Sequence, residues 1–435
     1  MKVSVYTLGC KVNTYESEYV INEFKKKGYE IVPFDEEADI YVINTCTVTN
    51  NSDQKSRKII RSACKNKNKV VVVMGCYSQI KPDVVRDIEG VSIVLGNKDK
   101  NKVVELVEAY LKDKESFQNI YDLSNSKFED MYLDNFENHT RAFVKIQDGC
   151  NNYCSYCIIP YARGNVRSKD KNIVINEIKS LVKNGYKEVV LTGIHTGHYG
   201  QDLKEYDFSD LLMELEKIDG LERIRISSIE ITELTDKFIE VLKNSKKIVN
   251  HIHIPLQSGC DKILKLMNRK YDMNYYIDKI NKIREVRPDM AVTTDVIVGF
   301  PNETDEDFKI TKENIKKIKF TELHVFPYSK REGTPAASML NQVDGNVKKQ
   351  RVNELLKVSE LLKEKFYNKY INTYDYVLTE TYEDGYLIGH LSNYGKVKFK
   401  GNKEDINKII KIKLNNYNND MYGAVSSTIL ENITN

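Results

Sequence analysis

Three cysteines crowd into Gly149-Cys150-Asn151-Asn152-Tyr153-Cys154-Ser155-Tyr156-Cys157, spaced as CxxxCxxC. Three thiolates this close can ligate three irons of a 4Fe-4S cluster and leave the fourth iron open. An open iron is a place where a small molecule can bind and react. Zinc fingers and ribbons usually supply a fourth Cys or His at similarly close spacing, and none lies between Cys157 and His195. Three other cysteines are remote in sequence yet share a context: Cys10, Cys46 and Cys76 close the segments TLGC, INTC and VMGC, each after an apolar run. If those runs are strands of one parallel sheet, their C-terminal ends lie on one edge, and thiols 36 and 30 residues apart can converge on a second cluster. Gly9 and Gly75 let the backbone pass close to a bulky group. Cys64, in the helix-like run 56–65, and Cys260, which opens another helix, belong to no set of three.

The elements that must carry these residues follow from the hydrophobic pattern. Apolar runs at 3–8, 40–44, 70–74 and 91–95 alternate with longer polar-periodic segments, which predicts a parallel α/β domain over 1–115. Residues 116–140, polar and weakly periodic, read as a linker. From 141 to 370, runs at 142–146, 188–191, 223–227, 251–256, 291–298 and 322–326 are each followed by an amphipathic stretch. Among these stretches are 173–184 and 261–285. Six βα units predict a partial, open-sided (β/α)6 barrel with the CxxxCxxC segment directly after its first strand. Short alternating runs with turns at Glu383-Asp384-Gly385 and Asn393-Tyr394-Gly395 predict a small all-β domain over 371–435. The fold class is α/β with this β appendage.

The spacing and placement of the first triad resemble the radical S-adenosylmethionine (SAM) superfamily, in which the open iron chelates the amino and carboxylate groups of SAM. The resemblance implies SAM contacts at Tyr156 (adenine), Thr192 and Gly193 (amino group), Gln257 (ribose) and Gly299 (backbone against adenine). As residues alone, Tyr156 can also be a core tyrosine, and Thr192 and Gly299 turn residues without a ligand.

From end to end the chain resembles the methylthiotransferase family: an N-terminal domain with three scattered cysteines, a radical SAM domain and a C-terminal β-domain of the TRAM type. That implies two 4Fe-4S clusters, with Cys150, Cys154 and Cys157 on the SAM-cleaving one and Cys10, Cys46 and Cys76 on the one that carries the sulfur. Leu8-Gly9-Cys10-Lys11-Val12-Asn13, Thr192-Gly193-Ile194-His195-Thr196-Gly197 and Arg225-Ile226-Ser227-Ser228-Ile229-Glu230 look like the branch acting on N6-threonylcarbamoyladenosine beside the tRNA anticodon. The isopentenyladenosine branch typically has Gln and Met after the first cysteine, and the ribosomal-protein branch Pro and Lys; Lys11-Val12 fits neither. The implied reaction replaces the hydrogen on adenine C2 with a methylthio group. That hydrogen is not acidic and its carbon resists thiolate attack, so a primary carbon radical is required. A reductant such as flavodoxin or ferredoxin and a sulfur donor are implied partners. The alternatives are methylthiolation of another tRNA adenosine or of a ribosomal-protein side chain, or a non-catalytic iron-sulfur or zinc module that binds RNA or carries electrons. An electron carrier gains nothing from an open iron.

Composition restricts the partners little. With 66 Lys and Arg against 63 Asp and Glu over 435 residues, nucleic-acid binding must come from local patches. Residues 371–435 hold 7 Lys and no Arg against 8 Asp and Glu, but Lys396, Lys398 and Lys400 alternate with Val397 and Phe399 on one strand face. That face can meet phosphates or merely water, and Lys348, Lys349 and Arg351 upstream could extend it. There is no Trp, so any base stacking falls to 28 Tyr and 14 Phe. His251 and His253 alternate on the fourth barrel strand and read as packed or hydrogen-bonded residues. No signal peptide or membrane span is read, so the expected location is cytoplasmic, with no membrane partner.

Overall fold

Valine- and isoleucine-rich runs buried on both faces make the N-terminal sheet. Its order is Glu30–Ile31, Lys2–Thr7, Ile40–Thr45, Val70–Gly75, Ile93–Leu95 and Phe117–Asn119, all parallel. Helices Lys11–Lys26 and Val103–Asp113 cover one face, and Asn50–Ala63 the other. The computed structural model describes residues 1–65, 68–136, 139–418 and 420–425.

Phe117–Asn119 belongs to the segment expected as a linker. Beyond it, Met131, Leu133 and Phe136 are buried in the core of the central domain, so the segment straps the two domains together. Three apolar anchors spaced through a polar stretch leave no periodicity to read.

In the central domain the six expected runs form parallel strands in chain order: Arg141–Lys145, Glu188–Thr192, Arg223–Ile226, His251–His253, Ala291–Val298 and Glu322–Pro327. The third and fourth meet only through a bridge from Ile224 to Ile248, and among the described residues the first and last do not pair. The result is an open-sided half-barrel. Ala142, Val189, Ile224, Ile252 and Val292 face the helices and build the largest core. The stretch 261–285 divides into Asp261–Leu266 and Met273–Val286, because Asp272 caps a new N-terminus by accepting from Tyr275 N at 2.8 Å.

Strands Tyr374–Glu383, Tyr386–Leu391, Lys396–Lys400, Ile409–Asn418 and Asp420–Val425 close the small C-terminal barrel. Residues 426–435 of the domain expected there lie outside the described residues. This barrel packs on the N-terminal ends of the central strands: Arg141 pairs with Glu380 at 3.2 Å, Arg223 donates to the carbonyls of Tyr376 and His390, and Asn250 N donates to Ser392 Oγ. The cysteine loop lies at the other end. No described helix is long and apolar enough to cross a membrane.

Candidate active site

The loop that carries Cys150, Cys154 and Cys157 is pinned at its base by an antiparallel ladder between Gln147–Asp148 and Arg167–Ser168. Gly149 sits at φ +75 with the Asn165 carbonyl where a Cβ would stand, so only glycine lets the strand turn into the loop. Ser155 ties the far side down, its N–H donating to the Met267 carbonyl and its Oγ to that of Leu266. The three thiols act on one another electrostatically: burial pushes the Cys157 thiol up to about 12, and the neighbouring Cys154 and Cys150 push the same way. Iron binds thiolates and displaces their protons, so such a set fits an iron cluster.

Two side chains grip this triad. Arg269 donates from Nη1 to Cys154 Sγ at 3.2 Å and is ion-paired with Glu230. His195 Nδ1 stands 3.7 Å from Cys150 Sγ, with Glu233 on its other nitrogen. Burial opposes the charged form of His195, but the bonds to Cys150 and Glu233 prevail and lift it to about 10. The sequence carries His195 only inside a family-like segment with no role attached, and does not mark Arg269, which is 115 positions from Cys154.

The second triad stands at the C-terminal edge of the N-terminal sheet. Thr7 is in register with Asn44, and Thr45 with Gly75, so Cys10, Cys46 and Cys76 emerge at one level. Gly9, at φ +109, lies so close to Cys46 that an added Cβ would stand 3.2 Å from its Sγ. Gly75, at φ +106, approaches Asn44 and Thr45 so closely that its Cβ would stand 2.6 Å from their oxygens. Cys46 and Cys76 are buried, and Cys10 stands at the rim. Burial, then the adjacent Cys76, pushes the Cys46 thiol up to about 11. Three thiols gathered at one sheet edge, with glycine letting the backbone pass close to Cys46, fit a cluster here as the loop triad does.

Arg163, six residues past Cys157 and fully buried, joins the two triads. Its Nε donates to Cys76 Sγ at 3.3 Å and its Nη2 to Asn13 Oδ1 at 2.6 Å. Its Nη1 bonds Glu16 of the N-terminal domain at 2.9 Å and Asp148 at the base of the cysteine loop at 3.1 Å. Lys145 bonds the same two carboxylates, each at 2.7 Å, and Lys100 pairs with Glu16. Burial penalises the Glu16 carboxylate, but Arg163, Lys100 and Lys145 outweigh it and hold the group far below its usual range. A second clamp closes nearby, where Arg331 donates to Asn50, Thr47 and Asp53 at 2.7 to 2.9 Å. In a linear reading these are unremarkable charged residues; only their burial marks them.

A cavity of about 230 Å³ opens beside the loop triad. Its lining includes Tyr156, Cys157, Gln257, Asp295 and Ile297, and across the domain boundary Val48 and Thr49. Gln257 is held at φ +64 by a bridge to Val296. Thr192 and Gly193 lie elsewhere: Thr192 Oγ1 donates to the Val190 carbonyl, and Gly193 packs on Gln147 at the loop base. Gly299 turns its open side to the Lys348 stem. His251 and His253 share the Thr293 hydroxyl at 3.0 and 2.9 Å, and Cys260 bonds Asp307 away from both triads.

Lys396, Lys398 and Lys400 share the outer face of their strand, over buried Val397 and Phe399. Lys396 lies 3.3 Å from Asp420, and Lys398 sits over the Tyr386 ring. Arg351 adds nothing to that face, because it is buried and paired with Glu303 and Asp305.

Comparison with known proteins fits this architecture. Residues 144–315 match the radical SAM superfamily, and residues 2–96 match a group described as uncharacterized protein family UPF0004. The structure of the radical SAM methyltransferase TsrM from Kitasatospora setae, with cobalamin and a [4Fe-4S] cluster bound, superposes with a TM-score of 0.57 at 14% identity, covering 77% of each chain, and so shares the fold. A Bacillus subtilis protein named threonylcarbamoyladenosine tRNA methylthiotransferase MtaB is 49% identical over 95% of this chain and 93% of its own. A Clostridium tetani protein named tRNA-2-methylthio-N(6)-dimethylallyladenosine synthase is 37% identical over 94% and 93%. With a half-barrel that matches the radical SAM superfamily, a cysteine-bearing N-terminal sheet and relatives of this identity along nearly its whole length, the chain belongs to the radical SAM methylthiotransferase family.

Proposed function

We propose that this protein is a cytoplasmic transferase that methylthiolates C2 of N6-threonylcarbamoyladenosine in tRNA, using SAM and two 4Fe-4S clusters. Cys150, Cys154 and Cys157 would hold one cluster, and Cys10, Cys46 and Cys76 the other. The observation that carries the two-cluster reading is the meeting of three strand-end cysteines beside the loop triad, with Arg163 between them. The substrate reading is supported by the 49% identity to the Bacillus subtilis protein.

Bound in these places, the clusters supply reductive cleavage of SAM and a sulfur to transfer, chemistry that an unactivated C–H bond demands and that side chains lack. The chain supplies position. Arg269 and His195 orient the thiols of Cys154 and Cys150. Tyr156 and Gln257 line a cavity next to Cys157 suited to the adenosyl part of SAM. Val48 and Thr49 close that cavity from the N-terminal domain, so water is excluded only when the two domains are docked. The Arg163 network fixes that docking. Lys396, Lys398 and Lys400 offer a phosphate-facing strand for tRNA. Electrons would come from flavodoxin or ferredoxin, and the transferred sulfur from a separate donor.

Mass spectrometry of tRNA nucleosides from cells with and without the gene tests the reading. Selective loss of the methylthio form of N6-threonylcarbamoyladenosine is expected. Its persistence, or loss of a different methylthio nucleoside, would refute the substrate.

A further inference from the structure

The interior of the half-barrel carries charged and polar side chains that neither triad uses. Arg141, Glu188, Arg223, Arg225 and His251 face inward, since their sequence neighbours Ala142, Val189, Ile224 and Ile252 belong to the core beneath the helices. Glu188 is already shared: it accepts from Arg225 Nε at 2.7 Å and lies 3.7 Å from Arg223 Nη1. Arg141 is paired with Glu380. Lys11, directly after Cys10, enters this field within electrostatic reach of Arg225, Arg141 and Glu188, and makes no salt bridge among the described residues. Arg225 is 1% exposed, and its Nη1 has no hydrogen-bond partner. A buried guanidinium nitrogen without an acceptor is a donor waiting for one.

An aromatic ring from the small barrel packs against them. Tyr394 lies 4.7 Å from the Arg225 guanidinium carbon, 4.8 Å from the His251 ring and 4.9 Å from the His390 ring. It does so from φ +70, a conformation that costs a tyrosine energy where glycine or asparagine would rest easily. Stacking on His251 and His390 holds the ring there.

We infer that Lys11 and Arg225 Nη1 bind the carboxylate of the threonylcarbamoyl substituent, with the Tyr394 ring holding the Arg225 guanidinium in place. The inference rests on the substrate reading above. An apolar N6 substituent would leave Arg225 Nη1 without an acceptor, whereas an amino-acid carboxylate would satisfy it and Lys11 together. A site built for a charged acceptor rejects analogues that lack it. Lys11 would thus select the substituent from the position next to Cys10.

The test uses full-length, cluster-loaded enzyme and two tRNAs, one carrying N6-threonylcarbamoyladenosine and one its carboxamide. Wild type should favour the acid by about 100-fold in kcat/KM, chiefly through KM. Lys11→Gln and Arg225→Lys should each shrink that ratio to below about tenfold. Arg225→Lys retains a cation beside Glu188, so it avoids stranding that carboxylate, and iron content and Tm report that each variant is folded. Equal turnover of acid and amide by wild type, or an unchanged ratio in folded Lys11→Gln, would overturn the carboxylate site while leaving the substrate reading intact. Failure of wild type to methylthiolate the acid-bearing tRNA would overturn both.

Discussion

Cys150, Cys154 and Cys157 sit within eight residues of one loop, which a two-stranded ladder pins at its base. Cys10, Cys46 and Cys76 meet only because three strands of a parallel sheet end at one level. The first triad depends on local geometry, the second on the register of a domain and, through Arg163, on its docking to another. The same three-thiol set is therefore robust in one place and contingent in the other.

The largest effects should come from the cysteines themselves. Cys150→Ala should abolish formation of 5'-deoxyadenosine from SAM, whereas Cys10→Ala should preserve it and abolish only the methylthio product. Each should lower bound iron by about half, one cluster of two. If Cys10→Ala leaves methylthiolation intact, the second triad is not a cluster site.

Arg163→Met removes a group bonded to both domains and to Cys76, leaving Glu16 and Asp148 to Lys145, Lys100 and Arg167. Breaking a buried ionic network of this kind costs about 3–5 kcal/mol. Denaturant unfolding should show that loss, and iron retention should fall at the second triad more than at the loop. Equal iron loss at both would dissolve the contrast between them.

Acid should act on the same joint more gently. Glu16 and Asp148 are held below their usual values by Arg163 and the lysines, despite burial. A depressed carboxyl contributes its full stability above its unfolded pKa of about 4 and loses it as the pH falls below that. Tm should therefore drop below about pH 4 in wild type and less steeply in Glu16→Gln. Identical acid profiles would show that Glu16 has no part in the effect.

Gly9→Ala places a methyl against Cys46 from a backbone conformation that alanine resists, at a cost of about 1–3 kcal/mol. Iron-binding titrations should show weakened loading of the second triad with 5'-deoxyadenosine formation retained. The smallest effect should be Lys396→Ala, Lys398→Ala and Lys400→Ala combined, which should reduce the salt slope of tRNA affinity by about one for each phosphate no longer neutralised.

Sequence alone determined the loop triad, the six barrel strands and the β character of the C-terminal domain, because each is written in short-range spacing or periodicity. It also raised the convergence of Cys10, Cys46 and Cys76, but only conditionally on an expected sheet. Tertiary structure decided the rest: that Tyr156 and Gln257 share a cavity whose lining does not include Thr192, Gly193 or Gly299, that Arg163 bridges the triads, and that Tyr394 packs on Arg225. Those pairings join residues from 87 positions apart, Cys76 to Arg163, to 169, Arg225 to Tyr394. A buried charge and an exposed one are the same letter in a sequence; desolvation, which only packing creates, is what distinguishes them.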